Sequence, residues 1–283
     1  MSAACDRIRL NLEQEFDIPF TVHIETVSGE PEYVLAPEDP DRELFCIRAH
    51  IRNGVRLTMD FVPQKYSMNF ITAMGLHKEA DRQLFCRYVE AMRSKGASCN
   101  ILVNSMPIST DDVASWPVVW KKFEAQVKKM PVSYDDNVPE VDIIEEWTGM
   151  MMGMILSLTE IVAIEDEKPV LGFKEGASIR YDANRYERNP LNRKLCLDAM
   201  GYRCHICGMD FEKIYGVIGH HFIHVHHIIP VSQLGPDYVI DPLHDLVPVC
   251  PNCHSMLHKK DPPFFPDELI RIMQRISAGG NEK

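Results

Sequence analysis

Two pairs of cysteines constrain the fold of the C-terminal part of this chain more than any other feature. Cys204 and Cys207 form one Cys-x2-Cys pair, and Cys250 and Cys253 form a second. Four thiolates at this spacing can complete a tetrahedron around one zinc ion. Redox chemistry is the alternative for a single pair, but two pairs in one short segment favour zinc. The cysteines therefore predict a small domain that a structural Zn²⁺ ion stabilises.

Histidines in the same stretch indicate a second metal site. His254 and His258 are four residues apart on a predicted helix, so their side chains share one face. His226 and His227 end an apolar strand predicted over residues 223–228, where adjacent side chains point to opposite sides. One of this pair would reach a metal, and the other would face a substrate.

These residues resemble the HNH, or ββα-metal, nuclease module, and in particular its McrA-type branch. The motif pieces that carry the resemblance are Tyr215-Gly216 with Gly219, the Val-His-His-Ile-Ile-Pro run at 225–230, and residues 245–258, which contain the second cysteine pair and both helical histidines. The resemblance covers about residues 185–260, and the N-terminal domain lies outside it.

The resemblance implies a role for each matched position. His226 and His254 would bind the catalytic divalent ion (Mg²⁺, Mn²⁺ or Ni²⁺), and His258 would be a third ligand or a phosphate contact. His227 would be the general base that deprotonates water. Asp245 stands where the namesake asparagine usually bonds backbone to hold the loop that carries the base. An aspartate there could instead touch the metal or orient a histidine.

The chemistry that the resemblance implies is hydrolysis of a phosphodiester. A divalent metal neutralises charge that develops on the phosphate, while an imidazole takes the proton from the attacking water. Histidine suits this role because its ordinary pKa lies near working pH. The alternative is a module without activity, in which the metals only hold the fold.

The N-terminal part predicts an α+β domain built around an antiparallel hairpin. Apolar residues alternate with polar ones over 45–51 and 55–61, and Asn53-Gly54 between them is typical of a hairpin turn. Its solvent side would carry Arg48, His50, Arg52 and Arg56. Helical spacing further predicts helices over 3–15 and 80–94. A third predicted helix begins at Ser115, and its apolar face would carry Trp116, Trp120, Phe123 and Val127. Strands are predicted over 20–27 and 100–103.

A long apolar stretch at 147–164 raises the question of a membrane span. Acidic residues at both ends and Glu160 within it argue against that interpretation. The stretch instead predicts a buried helix or one shared across a homodimer interface. We place the recognition or sensor domain at 1–165, a linker at 166–188 and the nuclease domain at 189–283.

The charge of the chain is uneven. The net charge is −11, yet from Leu171 onward basic and acidic residues balance, so the acidic excess lies entirely before it. A neutral C-terminal part is compatible with nucleic acid, whereas an acidic N-terminal part disfavours a broad phosphate contact. Residues 1–16 show no charged-plus-apolar targeting signal, which predicts a cytoplasmic location. Five cysteines without metal spacing are predicted core residues: Cys5, Cys46, Cys86, Cys99 and Cys196.

Three functions are compatible with these features. The main hypothesis is a restriction or phage-defence DNA endonuclease of the modification-dependent type, with specificity or control from the N-terminal domain. The second is a nonspecific DNA-degrading effector or toxin that an N-terminal sensor or protein-binding domain activates. The third is a non-catalytic zinc-stabilised DNA-binding protein. The expected partners are DNA and a second copy of the chain; the candidate DNA contacts are Arg188, Arg193, His221, His224, Arg48, Arg52 and Arg56.

Overall fold

The computed structural model separates the chain into two compact units, Met1–Ala163 and Ile164–Lys283. It describes residues 2–38, 44–64, 68–132, 138–159, 190–229, 238–260 and 262–277. The predicted linker at 166–188, and Arg188 with it, lies outside these ranges, so the predicted domain boundaries stay predictions.

The described strands of the first unit form a seven-stranded antiparallel sheet in the order β1-β2-β3-β4-β7-β5-β6. The strands are β1 (Phe20–Val27), β2 (Glu30–Pro37), β3 (Phe45–Arg52), β4 (Arg56–Pro63), β5 (Ala97–Val103), β6 (Met106–Pro107) and β7 (Phe123–Lys129). The β3–β4 hairpin turns at Asn53 and Gly54, whose φ angles of 52° and 67° are those that a tight hairpin turn requires. The predicted α+β class is confirmed.

Four helices accompany this sheet: α1 (Ala3–Phe16), α2 (Met68–Met74), α3 (Glu79–Ser94) and α4 (Glu140–Leu156). The apolar stretch predicted over 147–164 lies in α4 as far as Leu156, and every residue of α4 from Trp147 onward is buried; residues 160–164 lie outside the described ranges. A Cβ atom on Gly153 would lie 2.5 Å from the ring of Tyr88 in α3, so the glycine permits close approach of these two helices. No helix in the described part of the chain is long and apolar enough to cross a membrane.

The predicted helix from Ser115 is wrong. The chain makes a short 3-10 turn at Val113–Ser115, and residues 123–129 form strand β7 between β4 and β5. Burial in β7 alternates with period two, and backbone pairing on both edges of the strand outweighs the local helical spacing. Trp116 and Trp120 are still buried, but they reach the core from a loop, where each ring N–H donates to a backbone carbonyl.

The second unit contains α5 (Pro190–Met200), α6 (Phe211–Tyr215), a 3-10 turn at Gly216–Gly219, β8 (His224–His227), β9 (Leu246–Val249), α7 (Pro251–Leu257) and α8 (Pro266–Ser277). Strands β8 and β9 pair antiparallel, and α7 follows β9 directly, which gives a ββα arrangement. The core behind it is apolar and includes Leu197, Val225, Val249 and Leu257. Strand and helix therefore present their polar residues to a common region.

Candidate active site and zinc centre

Four cysteines meet beside the ββα core. The Sγ atoms of Cys204, Cys207, Cys250 and Cys253 lie within 4.8 Å of one another. The first pair sits in a turn that closes at Gly208, whose φ of 74° favours glycine and whose N–H donates to the carbonyl of Cys204. The second pair begins α7, where the Sγ of Cys250 accepts a hydrogen bond from the backbone N–H of Cys253.

The electrostatics of this cluster fit a zinc ion. Burial acts against ionisation of the Cys204 thiol, but hydrogen bonds from nearby backbone N–H groups outweigh it and lower the pKa. Burial raises the pKa of the Cys250 and Cys253 thiols. Four thiolates cannot all be charged in so small a space without a cation among them, and Zn²⁺ supplies that charge. The four-cysteine cluster is therefore compatible with zinc binding.

Three histidines form a second cluster on the same helix and the facing strand. Ring nitrogens of His226, His254 and His258 lie within 4.8 Å of one another. The ring centroids are 5.3 Å apart for His226 and His254, 5.1 Å for His226 and His258, and 4.9 Å for His254 and His258. The spacing of four residues places His254 of α7 and His258 at its C-cap on the face that looks toward β8.

One buried nitrogen of this cluster needs a partner that the described residues do not supply. His226 is 3% exposed, and among those residues its Nε2 atom has no hydrogen-bond partner. Burial, with smaller effects from neighbouring histidines, lowers the pKa of His226 to about 3 and that of His254 to about 4. Both rings are therefore neutral near pH 7 and present lone pairs rather than positive charge. Converging neutral imidazoles fit a divalent metal ion.

His227 lies next to this cluster in β8 and is half-buried. Adjacent strand residues point to opposite sides, so His226 and His227 serve different surfaces. The residue that follows, Ile228, donates its backbone N–H to the carbonyl oxygen of Asp245 at 2.8 Å. This bond fixes the end of the strand that carries His227.

Asp245 organises the loop before β9. Its Oδ2 atom accepts hydrogen bonds from the backbone N–H of Asp241 at 2.7 Å and from the hydroxyl of Tyr238 at 2.8 Å. Asp245 is not part of any metal-ligating cluster among the described residues. Its contacts are those of a residue that holds a loop, and sequence reasoning missed Tyr238 because no motif includes it.

The candidate DNA contacts of the second unit have defined surroundings. Nη2 of Arg193 donates to the carbonyl of Ile223 at 2.8 Å, just before β8. His221, which has a φ of 55°, stacks on Tyr202 with ring centroids 3.9 Å apart. His224 lies 5.4 Å from His254, centroid to centroid, and burial lowers its pKa. Strand alternation from His226 could have placed His224 on the same side from sequence alone.

The arginines of the β3–β4 hairpin face carboxylates. Arg48 contacts Glu25 at 2.8 Å and Glu32 at 2.7 Å, which raises the pKa of the guanidinium. Arg52 lies 3.6 Å from Glu30, and Arg56 is exposed beside the sulfur of Met130. Acidic residues of β1 and β2 thus offset part of the predicted basic face.

Comparison with known proteins bears on the histidine and cysteine region. Residues 204–260 match the family model described as HNH endonuclease. The C-terminal unit contains an HNH endonuclease domain. This confirms the predicted family and the predicted class of enzyme, a nuclease, for that domain.

One relative extends the likeness beyond the HNH domain. The chain is 28% identical over 137 residues to the "Type IV methyl-directed restriction enzyme EcoKMcrA" of Escherichia coli (strain K12). That alignment covers 43% of this chain and 47% of the relative, so the chain spans about half the length of the curated protein that it matches. No solved structure matches the chain.

Proposed function

We propose that this protein is a metal-dependent DNA endonuclease of the restriction or phage-defence kind. The observation that carries the proposal is the histidine cluster of the HNH domain. There, a buried Nε2 atom of His226 meets two further imidazoles on α7, and His227 follows on the neighbouring strand position. A module that only binds DNA does not need such a set of converging imidazole nitrogens.

In this proposal the histidines divide the work of phosphodiester hydrolysis. His226, His254 and His258 hold a divalent ion, which supplies positive charge for the phosphate and the leaving oxygen. His227 accepts the proton of the attacking water on the other side of the strand. Asp245 keeps His227 in place through its backbone carbonyl, and the four cysteines hold a zinc ion that fixes the start of α7.

The test is the replacement His227→Ala. We expect loss of DNA cleavage in Mg²⁺, Mn²⁺ and Ni²⁺, with unchanged zinc content and an unchanged melting temperature, because the residue lies outside both ligand sets. His23→Ala is the matched control, since His23 is an exposed histidine of β1 in the other unit. Cleavage by His227→Ala at the rate of the control would remove His227 from the role of base.

We propose further that target choice depends on DNA modification and on the N-terminal unit. The support is the likeness to a relative whose name describes it as methyl-directed. A digest of unmodified, 5-methylcytosine, hydroxymethylcytosine and phosphorothioate DNA separates the possibilities. Selective cleavage of one modified substrate supports this assignment, and equal cleavage of all four contradicts it.

A second candidate is a nonspecific nuclease under the control of an N-terminal sensor. The carboxylates that face Arg48 and Arg52 favour it, because they reduce the positive charge that a DNA-reading hairpin needs. The unmodified-DNA arm of the same digest tests this candidate, since a sensor-controlled enzyme cuts no substrate in the set until its activator is added. A homodimer remains a proposal for either candidate, and light scattering of the purified chain tests it.

A further inference from the structure

Strand β8 carries two buried ring nitrogens without a hydrogen-bond partner among the described residues: Nε2 of His226 and Nδ1 of His224. Buried polar atoms in folded proteins are almost always satisfied, so each of these calls for a physical explanation. The metal cluster accounts for the nitrogen of His226. The metal cluster does not account for the Nδ1 atom of His224, which is not one of its three ligands.

His224 lies on the metal-facing side of β8. It is two residues before His226, so both side chains project from the same face of the strand. Its ring centroid is 5.4 Å from that of His254, against 5.3 Å for His226 and His254, and the two rings meet nearly at right angles, at 80°. His254 is thus flanked by one histidine that belongs to the three-residue cluster and one that does not.

His224 lies at the edge of the buried histidines. Its Nδ1 atom is inaccessible in this conformation, but the residue as a whole is only half-buried, and rotation about the Cβ–Cγ bond exchanges Nδ1 with Cδ2 and can turn the nitrogen toward a ligand. An unsatisfied polar atom destabilises the fold, and an apolar side chain at the same strand position would not carry that cost. Packing therefore gives no reason for a histidine here, whereas a ligand that completes the hydrogen bond does.

The charge beside His224 indicates the kind of ligand. Arg193 donates from Nη2 to the carbonyl of Ile223, the residue just before His224. That bond holds a permanent positive charge beside the strand residue that carries the imidazole. A fixed positive charge next to a ring N–H donor suits an anion, and the anion that belongs beside the metal cluster of a nuclease is a phosphodiester.

We propose that His224 is a substrate-binding residue that donates a ring N–H to a non-bridging oxygen of the scissile phosphate. Arg193 favours the same anion through its charge. The inference rests on the proposed nuclease function and adds a fourth histidine to its site, one that binds substrate and not metal. No covalent bond to His224 forms or breaks in this role.

The test uses the whole chain with zinc bound to the cysteines and Co²⁺ added to the histidine cluster, since Co²⁺ reports its surroundings by visible absorption. Orthophosphate is titrated into wild type, His224→Leu and His224→Asn. We expect Co²⁺ affinity to stay within twofold in all three proteins. Phosphate affinity should fall at least tenfold in His224→Leu and recover in large part in His224→Asn, whose side-chain amide can place a donor near the Nδ1 position. The melting temperature of His224→Leu should equal or exceed that of wild type.

Each other outcome contradicts the proposal. Equal phosphate affinity in His224→Leu removes the substrate contact, and parallel loss of Co²⁺ binding makes His224 a metal ligand instead. A large drop in the melting temperature of His224→Leu assigns the residue to the fold. Plasmid cleavage by wild type and His227→Ala is measured in parallel. Equal cleavage by those two proteins refutes the proposed function, whereas normal dependence on His227 with no effect of His224 refutes this inference alone.

Discussion

Loss of the zinc ion should unfold the second unit while the first stays folded. The perturbation is either a strong chelator or the replacement Cys253→Ser, which removes one of the four converging Sγ atoms. Three of the four cysteines, Cys204, Cys250 and Cys253, are themselves part of the buried core of this unit. A zinc ion held by these cysteines would therefore lie at the edge of the core and would not be an appendage on its surface.

The magnitude follows from the size of that core. A structural zinc ion contributes roughly 10–16 kcal/mol in small zinc-binding peptides. A whole domain has a net stability of only about 5–15 kcal/mol. The described part of the second unit has a two-stranded sheet and short helices around its buried residues. Most of its free energy of folding should therefore come from zinc binding. Removal of the ion should exceed its net stability.

Hydrogen exchange followed by mass spectrometry reads the two units separately. After chelation, peptides from β9 and α7 should lose protection, whereas peptides from β3 and β4 should keep it. Elemental analysis should find one zinc per chain in wild type and less in Cys253→Ser. Cys99→Ser is the control, because Cys99 is a half-buried residue of β5 outside the cluster. Full protection of β9 and α7 in zinc-free protein would refute the reasoning.

Three further predictions concern single contacts. Protons compete with metal for a histidine only below its pKa, and the pKa values of His226 and His254 are about 3 and about 4. Between pH 6.5 and 5 at most one proton, on His258, can therefore compete with the metal. The Co²⁺ affinity of the cluster should fall no more than tenfold per pH unit in this range. A steeper fall in a visible-absorption titration contradicts the neutral, buried cluster. Gly153→Ala should destabilise the first unit by about 1–3 kcal/mol in urea unfolding, because its Cβ meets the Tyr88 ring; no change would remove that close contact. Tyr238→Phe should lower the cleavage rate with zinc content unchanged, because Asp245 loses a hydrogen bond. An unchanged rate would mean that the backbone bond from Asp241 suffices.

Local spacing predicted the elements that depend on local geometry. Each Cys-x2-Cys pair, the i and i+4 histidines and the Asn53-Gly54 hairpin follow from a few consecutive residues. The structure places the cysteines and the histidines in two clusters and forms the hairpin, as expected. The helix predicted from Ser115 was wrong because the apolar residues of this segment also fit helical spacing; these are Trp116, Trp120, Phe123 and Val127. Only the pairing of β7 with β4 and β5, whose partner residues are at least twenty positions away in sequence, decides for a strand.

The basic face of the hairpin shows a second limit of the same kind. Arg48 is one charge in a sequence, but in the sheet it lies beside Glu25 and Glu32 from two earlier strands. Strand order and register decide which charged side chains lie beside each other in a sheet. Neither can be predicted from the residues next to Arg48 in the sequence. The acidic residues of the first unit therefore offset positive charge on the hairpin face that the sequence predicted to be basic.

Helix α7 connects the two candidate metal sites of the HNH domain. Cys250 is the N-cap of this helix and Cys253 lies in its first turn. His254 follows directly, and His258 is the C-cap. Because the backbone N–H of His254 donates to the carbonyl of Cys250, a zinc ion held by the cysteines would also fix the direction of both imidazoles. A chelator that abolishes cleavage thus does not identify the catalytic ion, since loss of the structural ion has the same effect. Only the order of addition separates them: zinc alone should restore hydrogen-exchange protection of α7, and cleavage should then require the second divalent metal.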